Sequence, residues 1–482
     1  MISFTLCLLV LVAGYLLYGR FVERIFGPDD RKTPALTRPD GMDYVPLPTW
    51  KVYMIQFLNI AGTGPIFGAI MGAKYGTSAY IWIVVGSIFF GATHDYFSGM
   101  ISLRNNGESL PEQVGRYLGR NTKLVMRIFT IFLMILVGAV FVYTPSDLLA
   151  NLTPNSLDVV FWITVVFLYY LIATLLPIDK LIGKVYPLFG AALLFMAVGI
   201  LVMLYINQPA LPEFWGAQGL NNTYPADNFP IFPFMFVSIA CGAISGFHAT
   251  QSPLMARCMK SERHGRRIFY GAMITEGLVA LIWAAAANAY FYEPSLLEIG
   301  KGIHENNPGV IVDAITKNWL GLAGGVLAIL GVVAAPITTG DTAFRSARLI
   351  VADILGMEQK SLHKRLYICV PLFLAAIGLL LFSLSDKEGF NLIWRYFAWA
   401  NQTLAVFTLW ALTVYLVRNK KGCYYLVTLI PACFMTAVCF TYICVEPKGG
   451  FGWSPHHVGW FAAAAIVIAL GWFYRWKLKK AA

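Results

Sequence analysis

Charge is the scarcest ingredient of this sequence. Only 13% of its 482 residues are charged, against 58% hydrophobic. A soluble globular domain carries about 25% charged residues. A mean hydropathy of +0.65 points the same way. A water-soluble fold of this size is excluded, because too little polar surface exists to cover it. Low-complexity tracts are also lacking. The longest polar stretch, residues 19–51, is too short to build its own core. No HExxH, GxSxG, CxxC or P-loop pattern occurs, which removes the usual supports for an enzyme. Nor is there a signalling domain that a sensor would need.

Eight cysteines are present (Cys7, Cys241, Cys258, Cys369, Cys423, Cys433, Cys439 and Cys444), most of them inside apolar runs. None pairs as CxxC, so neither a disulfide framework nor a zinc site is expected. The simple reading is small apolar residues in helix packing. The net charge of +11 is no nucleic-acid footprint, because the basic residues sit in short loops between apolar runs. The first segment, MISFTLCLLVLVAGYLLYGRFVERIFG, has the length of a signal peptide. It lacks a basic leading region and a small-residue cleavage site, so a retained first helix is expected.

Long apolar runs are what the sequence has in abundance. A membrane-crossing helix needs about 20 mostly apolar residues. About thirteen segments qualify: roughly 2–19, 52–73, 78–101, 124–149, 158–178, 186–206, 231–256, 268–292, 320–344, 366–385, 391–417, 423–444 and 458–474. The basic residues test that count, since inner loops collect Lys and Arg. Segments 20–51, 102–127, 179–184, 257–267, 345–365, 418–421 and the C-terminal tail hold 30 of the 36. The intervening loops 145–157 and 207–230 hold none. This alternation predicts an N-terminus outside and a cytoplasmic C-terminus.

Two of these spans carry features that a plain lipid-embedded helix avoids. The second contains Gly62-Thr63-Gly64-Pro65 near its middle. Proline removes a backbone donor and disfavours helix at the residue before it. The seventh contains Gly242-Ala243-Ile244-Ser245-Gly246-Phe247-His248, with Pro253 later. Helix packing through small residues would explain either alone. Their spacing favours more. Setting the first helix aside, they are the first and sixth of the remaining spans, and they run in opposite directions. Five spans starting at each form a 5+5 inverted repeat, whose broken helices meet at a midplane binding site.

Polar residues inside spans are expensive and point to function. His94 and Asp95 lie in the third span, where a gate or proton relay competes with a structural pair to an arginine. Glu276, in the helix after the second break, is a further buried acid, with a nearby arginine as a candidate partner. Thr338, Thr339, Asp341 and Thr342 surround a proline-bent stretch after Pro336 and offer hard oxygen ligands for a cation. Hydroxyl bonding to the helix backbone is the alternative. Asp341 also belongs with His94, Asp95 and Glu276 as a relay candidate. Arg395 is a candidate partner for a substrate carboxylate, with snorkelling to the interface as the simpler role.

Three stretches carry a resemblance. Asn59-Ile60-Ala61-Gly62-Thr63-Gly64-Pro65-Ile66 is one. Gly91-Ala92-Thr93-His94-Asp95-Tyr96, followed by Ser102-Leu103-Arg104-Asn105-Asn106-Gly107-Glu108-Ser109, is the second. Trp394-Arg395-Tyr396-Phe397-Ala398-Trp399-Ala400-Asn401-Gln402 is the third. Together they resemble the carbon-starvation protein A (CstA) family, grouped with the amino acid–polyamine–organocation transporter superfamily. The resemblance implies an all-α membrane fold with a LeuT-like 5+5 inverted repeat. One extra N-terminal and two extra C-terminal helices would flank it. The corresponding parts are residues 1–51, 52–206 and 231–417 for the repeats, and 418–482.

The superfamily pattern implies a sodium-type site from Asn59 and Gly62 with Thr338 and Thr339. It implies a substrate site between Gly62, Thr63 and Gly64 and Ser245, Gly246, Phe247 and His248, with Asn401 beside it. Helix N-termini at such breaks favour an anionic group. Family members are described as peptide or pyruvate transporters, and both cargoes carry a carboxylate. The expectation is a symporter in a bacterial cytoplasmic (inner) membrane, driven by protons or sodium. A passive channel with the same broken-helix pore is the alternative. No cofactor is expected; sodium is the sole metal anticipated, as a coupling ion. The partners are a small-molecule substrate and the lipid bilayer, not nucleic acid.

Overall fold

The computed structural model describes the whole chain except residues 177–181, 217–219, 221–229, 293–307, 360, 386–388 and 482. Half of the basic segment 179–184, Lys180 included, lies outside the described residues, as do Lys301, Lys360 and Lys387. Every regular element among the described residues is helical. Uncharged runs of Leu, Ile, Val, Ala and Phe favour this, because a helix satisfies its backbone internally and needs no water.

Among the described residues, eight helices are long and apolar enough to cross a bilayer: Ile2–Phe26, Arg120–Asn151, Tyr186–Asn207, Glu262–Tyr290, Leu362–Ser385, Leu392–Asn419, Leu426–Val445 and Pro455–Leu478. The pair Thr49–Ile60 and Gly64–Ala73, bent by 52°, makes up to nine. Four more predicted segments are helical but divided or short. Residues 78–101 form Ser78–Val85, a wide turn at Gly86–Gly91, and Ala92–Arg104. Val159–Leu175 is 17 residues long. Ile231–Ser238 and Gly246–Ala256 are two pieces. Residues 320–344 lie within Pro308–Leu355, which kinks at Gly321. Length alone therefore supports fewer crossings than the hydropathy pattern suggested, because breaks cut the helices.

The basic loops lie together at one end of the bundle. Arg104 binds Glu262 and the Gly27 carbonyl, tying residues 102–127 to 20–51 and 257–267. Arg263 pairs with Asp30. Arg418 donates to the Arg116 carbonyl and Lys420 to the Phe26 carbonyl. The tail joins them, with Arg418 over the Trp476 ring at 5.7 Å. The N-terminus sits at the far end of the first helix. There the Glu213 carboxylate pairs with the Met1 ammonium and accepts from the N–H groups of Ile2 (2.8 Å) and Ser3 (2.7 Å). Partial burial works against ionisation, yet these donors hold the Glu213 carboxyl down at about 2. A carboxylate at a helix start also meets the positive end of its dipole.

Residues 39–44 show how the basic end is built. Gly41 takes a left-handed turn (φ 70), and Asp40 Oδ1 accepts from the N–H groups of Met42, Asp43 and Tyr44. This turn carries Asp43 inward, where it is 2% exposed. Its carboxylate meets Arg348 Nη2 at 3.2 Å and Arg345 Nη1 at 3.4 Å. Arg345 also donates to the carbonyls of Ala173 (2.8 Å) and Leu176 (2.9 Å), and Arg348 to Gln359 (3.0 Å). The loop before the first broken span is thus fastened to the end of Pro308–Leu355.

The bundle's centre is set by Gly271–Tyr292, which packs on the first helix, on both halves of the first broken span and on Ile182–Asn207. Pro308–Leu355 packs along Arg120–Leu152 and also reaches Thr49–Ile60.

Candidate substrate and ion site

The two breaks are built alike. Thr49–Ile60 ends where Ala61 leaves helical dihedrals (φ −82, ψ 57). The chain resumes in a wide turn at Gly64–Gly68, with Pro65 in its first turn, where a missing N–H costs little. Ile231–Ser238 ends at Ile239 with almost the same dihedrals (φ −92, ψ 66). It resumes at Gly246 after an extended Ser245. The breaks also touch. A Cβ on Gly64 would lie 2.4 Å from Cys241 Sγ, and one on Gly68 would lie 2.7 Å from the Ser238 carbonyl oxygen. Hydrogen in place of a side chain is what lets the backbones approach so closely.

Asn401, on Gly389–Asn419, closes the second break. Its Oδ1 accepts from Ser245 Oγ (3.0 Å) and from the Phe247 N–H (2.7 Å). A side-chain acceptor thereby satisfies a free donor at the start of Gly246–Ala256. Asn401→Ala should cost about 1–3 kcal/mol, because a buried N–H loses its acceptor. Thermal unfolding in detergent measures this. Asn401→Asp keeps an oxygen acceptor for the Phe247 N–H and should lose less than Asn401→Ala.

A buried polar cluster lies beside this break. Asp95 Oδ1 meets His94 Nδ1 at 2.8 Å, and Asp95 Oδ2 meets His248 Nδ1 at 2.9 Å. A carboxylate only accepts, so each Nδ1 donates, and each Nε2 is the ring nitrogen turned away from Asp95. His248 Nε2 lies 3.4 Å from Glu276 Oε2. All four side chains are fully buried. His94 Nε2, His248 Nε2 and both Glu276 oxygens have no hydrogen-bond partner among the described residues.

Oxygen atoms gather where the first break meets Pro308–Leu355. Thr339 Oγ1 lies 3.0 Å from the carbonyl oxygens of Leu58 and of Ala335. A Cβ on Gly62 would meet the same Oγ1 at 3.0 Å. Thr338 Oγ1 donates back to Ala335. The amide of Asn59 and the hydroxyl of Thr63 are buried without hydrogen-bond partners among the described residues. Asp341 belongs elsewhere, accepting from Tyr186 Oη at 2.6 Å.

The structure thus gathers Gly64, Ser245, Gly246, Phe247 and Asn401 at the paired breaks. It joins His94, Asp95 and Glu276 through His248, and brings Gly62 to Thr339. Asp341 lies apart from that cluster, on Tyr186. Glu276 faces a histidine, not an arginine, and the partners of His94 and Asp95 are likewise one another and His248. Arg395 donates to the Lys448 carbonyl at 3.3 Å, away from the breaks. A cleft of about 670 Å³ between the first helix and Gly271–Tyr292, lined by Tyr15, Trp50, Tyr53 and Arg267, contains none of the cluster. Sequence reasoning missed Cys241, read as packing, and Tyr186 and Tyr170. Tyr170 Oη bonds the carbonyls of Phe141 (2.6 Å) and Pro336 (3.0 Å). Their spacing along the chain carried no signal of these contacts; Cys241 alone could have been flagged, by lying inside a break.

Comparison with known proteins agrees with this architecture. An uncharacterized membrane protein of Haemophilus influenzae is 43% identical over 62% of this chain and 93% of its own length. The peptide transporter CstA of Bacillus subtilis is 27% identical over 88% of this chain and 87% of its own. Among solved structures, the manganese transporter of Eremococcus coleocola shares the fold with a TM-score of 0.57, at 12% identity, over 92% of this chain and 98% of that one. The model of the family described as carbon starvation protein CstA matches residues 1–163, 151–305 and 309–442. With nearly all of its helical bundle inside that match, the chain belongs to the carbon starvation protein CstA family.

Proposed function

We propose that this protein is a secondary active transporter that imports a small carboxylate-bearing nutrient, with peptides first and pyruvate second. The observation that carries this reading is the meeting of two broken helices with like exit dihedrals, Ala61 and Ile239. That pairing fits a 5+5 inverted repeat of about thirteen spans, in which broken helices converge on one site. Relatives over most of the chain are named peptide transporters, including that of Bacillus subtilis.

A substrate carboxylate would lie against the start of Gly246–Ala256, where free N–H groups and the helix dipole favour an anion. Gly62, Thr63 and Gly64 would face it across the break. The coupling ion is sodium, held by Asn59, Gly62, Thr338 and Thr339, or a proton carried by the Asp95–His248–Glu276 cluster. The chain would sit in the bacterial inner membrane with the basic face in the cytoplasm and the N-terminus outside, since Lys and Arg collect on the inner side.

Uptake by proteoliposomes tests this, with labelled dipeptide or labelled pyruvate and with sodium and pH gradients imposed separately. Accumulation above the outside concentration under one gradient is the expected result. Equilibration without accumulation would mean a passive channel. Thr339→Ala should cut sodium-driven accumulation at least about tenfold, since a lost ligand oxygen weakens a hard-cation site. Unchanged dependence on both gradients would remove the sodium site.

A further inference from the structure

We propose that Cys241, His248 and Glu276 form a binding site for a divalent d-block metal ion of the zinc class. One ligand atom from each lies within 4.8 Å of the others. The site joins the second break to Gly271–Tyr292, with Cys241 before Ser245 and His248 just after it.

The hydrogen bonds argue for a cation at this point. With His248 Nδ1 donating to Asp95, the neutral ring presents its Nε2 lone pair. That lone pair faces the Glu276 carboxylate at 3.4 Å, so two acceptors confront each other. Both Glu276 oxygens and His248 Nε2 are fully buried with no other hydrogen-bond partner among the described residues. Two buried acceptors facing each other at 3.4 Å are relieved by a cation between them, either a proton or a metal ion. A shared proton needs no third ligand, whereas the site supplies one in Cys241 Sγ.

The surroundings fit a metal further. Ligating histidines usually donate their other N–H to a carboxylate, as His248 does to Asp95. Asp95 is itself fixed by His94. Asn401 Nδ2 lies 3.7 Å from Cys241 Sγ, placed to steady a thiolate. One thiolate and one carboxylate cancel the charge of a divalent ion, so the filled site would be neutral at depth. The thiolate selects zinc-class ions over magnesium and calcium. Tetrahedral zinc with these ligands spaces them about 3.5 Å apart, and the ligand atoms here lie within 4.8 Å of one another. Three ligands leave a fourth position open. Binding releases the thiol proton and the proton shared by His248 and Glu276 to solvent.

The test uses the full chain purified in detergent. Zinc is measured by elemental analysis after dialysis against a weak chelator, and the visible and near-ultraviolet spectrum is recorded after loading with cobalt(II). One zinc per chain is expected, with a thiolate-to-cobalt charge-transfer band. Cys241→Ser should remove the band, and both it and Glu276→Gln should weaken zinc binding more than tenfold. Asp95→Asn should weaken it about 10–100-fold, as lost support of a ligating histidine does. Cys439→Ser, at a buried thiol outside the cluster, should leave both readouts intact. Thermal unfolding of each metal-free variant checks that it folds. Absence of stoichiometric zinc, a cobalt spectrum without the band, or unchanged affinity in folded Cys241→Ser and Glu276→Gln would overturn the site. A filled site would remove the Asp95–His248–Glu276 cluster as the carrier of a coupling proton and leave sodium as the coupling ion, whereas absence of the metal leaves the transport reading as it stands.

Discussion

Gly64→Leu should abolish uptake while the protein still reaches the membrane. Even a Cβ at this position would lie 2.4 Å from Cys241 Sγ and 2.5 Å from Cys241 Cβ. A leucine adds three more carbons in the same direction. Overpacking of this kind costs about 1–3 kcal/mol when neighbours can shift. Here the neighbour is the other break, so the shift separates the two half-helices. Gly64→Ala sets the smaller step and should retain part of the activity. Initial uptake rates in proteoliposomes, normalised to inserted protein, measure both. Near-parental uptake by Gly64→Leu would mean the paired breaks are not the substrate site.

The second large effect is on stability. Asp43→Asn should destabilise the protein by about 3–5 kcal/mol, the range for removing one partner of a buried ion pair. Arg345 and Arg348 are both fully buried, and Asp43 is the carboxylate they share. Burial alone would raise the Asp43 carboxyl. The guanidiniums of Arg348, Arg345 and Arg257 outweigh it and hold the carboxyl below the usual range. The sign of the pH dependence follows. A depressed native value gives stability that is fully present above the unfolded value of about 3.9 and is lost as pH falls through the native one. Unfolding of parent and variant in detergent should therefore differ most from about pH 5 to neutrality and converge in acid. A constant difference down to strong acid would show that the lost packing, not the charge, was responsible.

Much of the bundle was legible because a bilayer leaves a chain few choices. Apolar runs of spanning length must be helical, and the placing of Lys and Arg sets their direction. The contacts of Arg104 with Glu262 and of Lys420 with Phe26 place those loops on one face, as that alternation predicted. Where helices break, length ceased to be a guide. Ser78–Val85 and Ile231–Ser238 are too short to register as spans by themselves.

The candidate site was legible in part. Gly62-Thr63-Gly64-Pro65 and Ser245-Gly246 announce their breaks because glycine and proline change the backbone locally, whatever surrounds them. His94, Asp95 and Glu276 stood out because an ionisable group in an apolar run is costly. The partnerships did not stand out. Glu276 lies 28 residues from His248, and Asp95 lies 153 from it.

The sequence by itself determined a helical membrane protein of the CstA family, the face that gathers its positive charge, and the positions of its two breaks. Composition, periodicity and local backbone preference act within a few turns of chain, so they can be read in one dimension. Only the tertiary structure decided that Gly64 meets Cys241, that His248 bridges Asp95 to Glu276, and that Asp43 holds two arginines. Those pairings depend on how distant helices cross, and the energy that fixes each crossing comes from packing spread over the whole bundle.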